Sequence, residues 1–249
     1  MNVTFCAGSG RCGTVSIAAK LAPYILTRHE GKQWKRGRFP PMLPGFPQLV
    51  QQETGSDRIE WNRLAVGRRW AWLDKYQHED YFEAAHNFSG NLELLLEKFP
   101  TMKLIHLWRP AIDVVNSFTR RVRQPVYAAE GGTHRDCPGH WRDWRDSFPV
   151  WKDTSSREES FALYWQWTNS QISSFHKRHP QVPYLILRTS EINDAKKWSE
   201  VLDFVDPPEV PEPADYQDVV RNQRDKKTRN LHPTGLMYEV VKKRCSWTP

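Results

Sequence analysis

The chain has 249 residues, a formal net charge of +7 and a sequence pI near 9.3, with 39% hydrophobic, 12% aromatic and 26% charged residues. A chain of this length buries roughly 70–75% of the surface it would expose unfolded, so it can build a core without disulfide or metal staples. Its aromatic content, which includes 12 Trp, excludes a disordered or low-complexity class. The positive charge calls for an anionic partner, be it nucleic acid, anionic lipid or a phosphorylated or sulfated small molecule, without choosing among them.

No stretch approaches the 18 or so consecutive apolar residues of a membrane span, and Met1 to Ala7 reads as the start of a strand rather than a leader peptide. Cys6, Cys12, Cys137 and Cys245 are too few and too scattered for a disulfide framework. A reducing, cytoplasmic location is therefore expected. His134, Cys137 and His140 are spaced three apart, but structural zinc takes four ligands, in two pairs set further apart. The stretch is read as a surface loop, and no metal is expected.

In chain order, Val3–Ala7 reads as a strand, residues 8–13 as a Gly-rich turn, and Thr14–Leu21 as a helix, from Val15, Ala18, Ala19 and Leu21. Tyr24–Thr27 reads as a second strand. Residues 31–72 read as irregular, with Pro40, Pro41, Pro44 and Pro47 excluding a helix around them. Tyr81–Ala85 is the next strand. Leu92, Leu95, Leu96 and Phe99 then form one helical face. Lys103–Trp108 predicts a strand and Ala111–Val122 a helix. Residues 123–157 again read as irregular, with Trp141, Trp144 and Trp151 among Arg and Asp. Phe161 to Phe175 predicts a long helix, Tyr184–Leu187 a strand and Trp198–Val205 a helix, before a tail that is proline-rich and then basic.

Strands alternating with helices imply βαβ units. The expected fold class is α/β in three layers, a central parallel sheet with helices on both faces. One domain spanning 1–249 is expected, with irregular insertions at about 31–79 and 123–157. Ligands of such sheets sit at the carboxyl ends of the strands, so the residues just after each strand carry the functional reading.

After the first strand comes Gly8-Ser9-Gly10-Arg11-Cys12-Gly13-Thr14, opening a helix. Backbone amides and a helix N-terminus at such a place cradle phosphate. The candidate anion-binding residues here are Gly10, Arg11, Cys12, Gly13, Thr14, Val15 and Ser16. The string nearly matches the nucleotide-triphosphatase loop G-x-x-x-x-G-K-[ST], with Gly8 and Gly13 in place, but Thr14 stands where the lysine belongs. That disfavours ATP hydrolysis. A phosphate-loop kinase or other nucleotide-dependent phosphotransferase remains the alternative reading.

Arg11-Cys12-Gly13-Thr14-Val15 resembles the R-S-G-T-T loop of sulfotransferases that use 3′-phosphoadenosine 5′-phosphosulfate (PAPS), in which the loop holds the 5′-phosphosulfate. Cys12 and Val15 depart from it by removing two hydroxyls. Arg109-Pro110 at a strand end, with Ser117 eight residues after Arg109, resembles the same family's grip on the nucleotide 3′-phosphate. Independently of the family, an arginine offers a bidentate fork to a phosphate. Leu185 to Glu191, which contains Arg188, resembles a later strand of the family, and the basic run that includes Arg229 resembles its late segment closing over PAPS. The resemblance covers roughly residues 2–30, 80–122 and 158–205.

The resemblance implies sulfuryl transfer from PAPS, with 3′,5′-adenosine bisphosphate as product. The acceptor would be a hydroxyl or amine of a small molecule, in a secondary-metabolite setting. Such a transfer rests on in-line positioning and electrostatic stabilisation, with Arg11 at the leaving phosphate. A general base removes the acceptor proton. Glu30 in His29-Glu30 is the first candidate, and His86, 23 residues before Arg109, the second. The insertions are expected to wall the acceptor pocket, and their Trp, Tyr, His and Asp content suits a ring-bearing or cationic molecule. The sites of Arg11 and Arg109, one nucleotide apart, narrow the net charge to a small anionic donor. Nucleic acid and membrane are not expected as partners.

Overall fold

A computed structural model of the chain describes residues 2–29, 32–33, 63, 66–67, 70–71, 80–122, 156–208, 233 and 235–249. Six strands form one sheet: β1 Val3–Ala7, β2 Leu26–His29, β3 Lys32–Gln33, β4 Tyr81–Ala85, β5 Lys103–Trp108 and β6 Tyr184–Arg188. Their order is β3-β2-β4-β1-β5-β6. All pairings are parallel except that of the edge strand β3, which runs antiparallel to β2. Among the described residues the helices are α1 Thr14–Leu21, α2 Leu92–Lys98, α3 Ala111–Val122, α4 Arg157–Arg178, α5 Ala195–Val205 and α6 Gly235–Arg244. The expected α/β class is the observed one.

The sheet is apolar on both faces, as a parallel sheet covered by helices must be. On one face Val3, Phe5, Tyr81 and Leu104 pack with Leu92 and Leu95 of α2 and with Ile172 and Phe175 of α4. On the other, Cys6, Phe82, Ala84 and Ile105 pack with Ile17 and Leu21 of α1 and with Trp198, Val201 and Leu202 of α5. A third cluster joins α3, α4 and α6 through Val114, Phe118, Phe161, Tyr164 and Met237. Phe5 shows how tightly the first face is built. It is fully buried and meets Trp70 and Phe88 edge to face, with ring centroids 5.6 and 5.2 Å apart. Such pairs add about 0.5–1.5 kcal/mol beyond the area they bury.

The structure departs from the sequence expectation in four places. β2 begins at Leu26, not Tyr24, because the amides of Tyr24 and Ile25 bond back to Leu21 O and close the turn after α1. The stretch after residue 31 is not wholly irregular: it contains β3, and Val66 and Trp70 belong to the main core. The second irregular stretch ends before Arg157, where α4 starts under a Ser156 cap that accepts from the Glu159 amide. The tail contains α6, which docks on α3 and α4.

Register aligns the strand ends. Ala7 lies opposite Ala85 on one side and His106 on the other, and Trp108 lies opposite Arg188. The turns after β1, β4, β5 and β6 therefore open on one edge of the sheet. There α1 and α3, which follow β1 and β5, present their N-termini.

Candidate functional site

The turn after β1 is shaped by two glycines. A Cβ on Gly8 would lie 2.1 Å from Leu107 O of β5, so only glycine lets the two strands run side by side here. Gly13, the N-cap of α1, has φ 101°, a left-handed conformation that glycine adopts freely. Arg11 is also left-handed, at φ 71°. A side-chain-bearing residue in that region costs about 1–2 kcal/mol, and strain of this kind gathers at ligand-gripping loops.

Side chains from distant parts of the chain brace the turn. Tyr164 Oη on α4 accepts from the Gly10 amide at 2.8 Å. Thr189 Oγ1, the first residue past β6, lies within hydrogen-bond reach of the carbonyls of Cys12 and Trp108. Arg109 Nη1 donates to Arg11 O at 3.4 Å. Trp165 Nε1 in turn donates to Arg109 O at 2.8 Å. On the far side of the loop, Thr14 Oγ1 and the buried His29 Nε2 are 3.1 Å apart.

A pocket of about 410 Å³ opens between these turns, lined by the loop after β1, the start of α1, the β5–α3 turn and the turn after β6. This is within the size range of small-molecule sites. Its charged lining residues are Arg11, Arg109, Arg188 and Asp113. Asp113 Oδ2 sits 3.7 Å from Arg109 Nε. Three guanidinium groups outweigh one carboxylate, and the N-termini of α1 and α3 add positive dipole ends. Hydroxyls of Thr14, Ser16, Ser117, Thr189 and Ser190 complete the polar lining. The arrangement suits a ligand carrying more than one negative charge, held by charge-assisted hydrogen bonds.

The residues read from the sequence fall into three groups. Arg11, Gly13, Thr14, Val15, Ser16, Arg109, Ser117 and Arg188 line this one pocket. Gly10 and Cys12 belong to the same loop but do not line it. The Gly10 amide is engaged by Tyr164. The Cys12 side chain is fully buried, which pushes its thiol up to about 12. His86 opens a short 3-10 turn directly after β4, on the same sheet edge but outside the pocket lining. Glu30, Arg229, the trio His134, Cys137 and His140, and most of both insertions lie outside the described residues. Among the described residues, no three His, Cys, Asp or Glu side chains gather closely enough to hold a metal ion, and no helix is long and apolar enough to cross a membrane.

Ser117, expected beside Arg109 at a phosphate site one nucleotide from that of Arg11, is in direct contact with Arg11, whose Nε donates to Ser117 Oγ at 3.2 Å. Tyr164, Trp165 and Thr189 also shape the site, and none of them was expected there from the sequence. Thr189 was accessible to the rule that found Arg109, since it too directly follows a strand. Tyr164 and Trp165 lie on the buried side of a long helix of mixed polarity and carry no such signal.

No family model matches this chain, and no curated protein matches it. Solved structures do. The chain is similar to the sulfotransferase domain from the curacin biosynthetic pathway, at 17% identity and a TM-score of 0.50, over 84% of this chain and 75% of that one. It is equally similar to the sulfotransferase domain from the Synechococcus PCC 7002 olefin synthase, at 15% identity and a TM-score of 0.50, over 100% of this chain and 96% of that one. The chain therefore has the fold of these sulfotransferase domains.

Proposed function

We propose that this protein is a PAPS-dependent sulfotransferase acting on a hydroxyl or amine of a small-molecule acceptor. The observation that carries the reading is the single pocket in which three arginines converge with the loop between β1 and α1. The fit to a nucleotide with phosphate or sulfate groups at two positions rests on that donor set. Arg11 and the first amides of α1 would hold the sulfated end, and Arg109 and Ser117 the 3′-phosphate, with Arg188 beside them. Bound PAPS supplies the activated sulfuryl group.

The chain's own part is positioning and electrostatics. Arg11 and the α1 N-terminus are oriented in advance toward negative charge growing on the departing phosphate, and need no rearrangement when it forms. Asp113 steadies Arg109. Glu30 is assigned as the base that takes the acceptor proton, with His86 as the second candidate. A ring-bearing or cationic acceptor, chosen by the two insertions, completes the proposal.

The test is calorimetry with 3′,5′-adenosine bisphosphate. Saturable binding that is lost when Arg109→Ala and Ser117→Ala are combined is the expected result. Tight, Mg²⁺-dependent ATP binding in its place would overturn the reading in favour of a phosphate-loop kinase.

A further inference from the structure

Behind the pocket, away from its lining, the five residues that follow α6 form a strap across α4. Gln166 Oε1 accepts from the amides of both Ser246 and Trp247 at 2.8 Å. Two helix turns earlier in α4, the buried Glu159 carboxylate accepts from Arg244 Nε at 2.6 Å. These contacts seat the Trp247 ring among three others. Its centroid is 5.1 Å from His106, 5.5 Å from Trp165 and 5.8 Å from Trp108.

Two of those neighbours contact two of the pocket's three arginines. Trp165 Nε1 donates to Arg109 O. The Arg188 guanidinium carbon lies over the Trp108 ring at 5.2 Å, a cation–π contact. Trp247 touches both indoles edge to face, at interplanar angles of 75° and 69°.

A chain of hydrogen bonds leads to the same place. Trp247 Nε1 donates to Ser173 Oγ at 2.7 Å. Tyr184 Oη is 2.6 Å from His106 Nδ1, and His106 Nε2 is 2.8 Å from Asn169 Oδ1. Asn169 Nδ2 donates to Trp165 O at 2.7 Å. With Asn169 presenting its oxygen, His106 Nε2 must carry the proton, so Nδ1 accepts from Tyr184. Every donor from Tyr184 onward then points one way, to the backbone of Trp165. Aligned chains of this kind stiffen one another.

We infer that Trp247 is a positioning residue for the anion pocket, fixing Arg109 through Trp165 and Arg188 through Trp108 without touching the ligand itself. The inference rests on the proposed nucleotide site for its functional meaning. Its physical content, the placement of two guanidinium groups, can be read without any ligand.

The experiment compares the full chain with Trp247→Ala, Trp247→Phe and, as a control on the exposed side of α6, Tyr238→Ala. The first readout is the set of arginine side-chain Nε–H signals by NMR in the absence of nucleotide. The second is the dissociation constant for 3′,5′-adenosine bisphosphate. In Trp247→Ala the Arg109 and Arg188 signals should move and binding should weaken about tenfold, the scale of coupling through a packed network. Trp247→Phe keeps a ring in place but loses the Nε1 donor, so it should recover both readouts in part, and Tyr238→Ala should change neither. Should Trp247→Ala not fold, Trp247→Leu carries the same comparison. Unmoved Arg109 and Arg188 signals, an equal disturbance from Tyr238→Ala, or no recovery in Trp247→Phe would each overturn the inference. A wild-type chain that ignores the nucleotide counts against the proposed function alone, and the arginine signals still decide the role of Trp247.

Discussion

Arg11 Nε donates to Ser117 Oγ across 3.2 Å, joining the loop after β1 to α3 over 106 residues of sequence. The left-handed backbone of Arg11 belongs to the same turn, whose carbonyl accepts from Arg109. Arg11, Arg109 and Ser117 thus form one hydrogen-bonded unit.

A connected unit responds to mutation as a unit. Arg11→Ala and Ser117→Ala should each weaken binding of 3′,5′-adenosine bisphosphate, and the double variant should lose less than the two single losses combined. Residues in direct hydrogen bond show coupling of about 0.5–3 kcal/mol in a double-mutant cycle. Titration calorimetry on the four proteins checks this. Strict additivity would mean that the two residues act on the ligand independently.

The general base separates from binding in the same way. Glu30→Gln removes a proton acceptor while nearly preserving shape. It should lower kcat by roughly 10²–10⁴, the usual share of a positioned base, and leave nucleotide affinity unchanged. His86→Gln is the companion, since His86 follows β4 on the same sheet edge as the loop. Near-normal turnover in Glu30→Gln with a large loss in His86→Gln transfers the role to the histidine. Single-turnover kinetics on both variants separates the outcomes.

How far the sequence revealed this arrangement depended on the scale of the feature. β1, β4 and β5 were readable to the residue, because strands buried on both faces leave short, mainly apolar runs such as Val3–Ala7. β3 was not, being two polar residues that pair only along an edge. Helix α6 was hidden because Met237 is its one fully buried side chain and packing on α3 and α4 defines it. In the site, Arg109 and Arg188 were legible from their places at strand ends. Tyr164 and Trp165 act with a polar tip on backbone 154 and 56 residues away, and no local spacing encodes that. The contact between Arg11 and Ser117 escaped for the same reason.

His106 gives the fold a pH dependence. Burial holds this imidazole well below its ordinary value, at about 4, with the Asn169 hydrogen bond opposing only in part. Unfolded, the ring binds a proton near 6.5. Between pH 6.5 and 4 the unfolded chain therefore carries the extra proton, and stability falls as pH falls through that window. Above pH 7 the full contribution is present. The loss should approach about 3 kcal/mol by pH 4. Denaturant titrations of the wild type and His106→Gln at pH 7.5 and 4.5 measure it. The variant should be less stable at pH 7.5, through loss of the Tyr184 and Asn169 partners, and should show a shallower decline with acid. Equal slopes for the two proteins would remove His106 as the source.

Gly13 is where local backbone geometry and the site meet most directly. At φ 101° any side chain is strained, and a Cβ there would come within 3.0 Å of Thr189 Cγ2. Thr189 cannot yield freely, because its hydroxyl reaches the carbonyls of Cys12 and Trp108. Gly13→Ala should thus destabilise the chain by about 1–3 kcal/mol, the range for a residue forced into a sparsely populated conformation. Binding should suffer as well, since Gly13 caps the helix whose N-terminus faces the pocket. Thr189→Ser offers a partial remedy: it removes Cγ2 and keeps the hydroxyl. Combined with Gly13→Ala, it should restore part of the lost stability by relieving the clash, while the strain at φ 101° persists. Thermal melts of the wild type, both single variants and the pair check the prediction. If Thr189→Ser brings no recovery, backbone strain accounts for the whole effect and the clash for none of it.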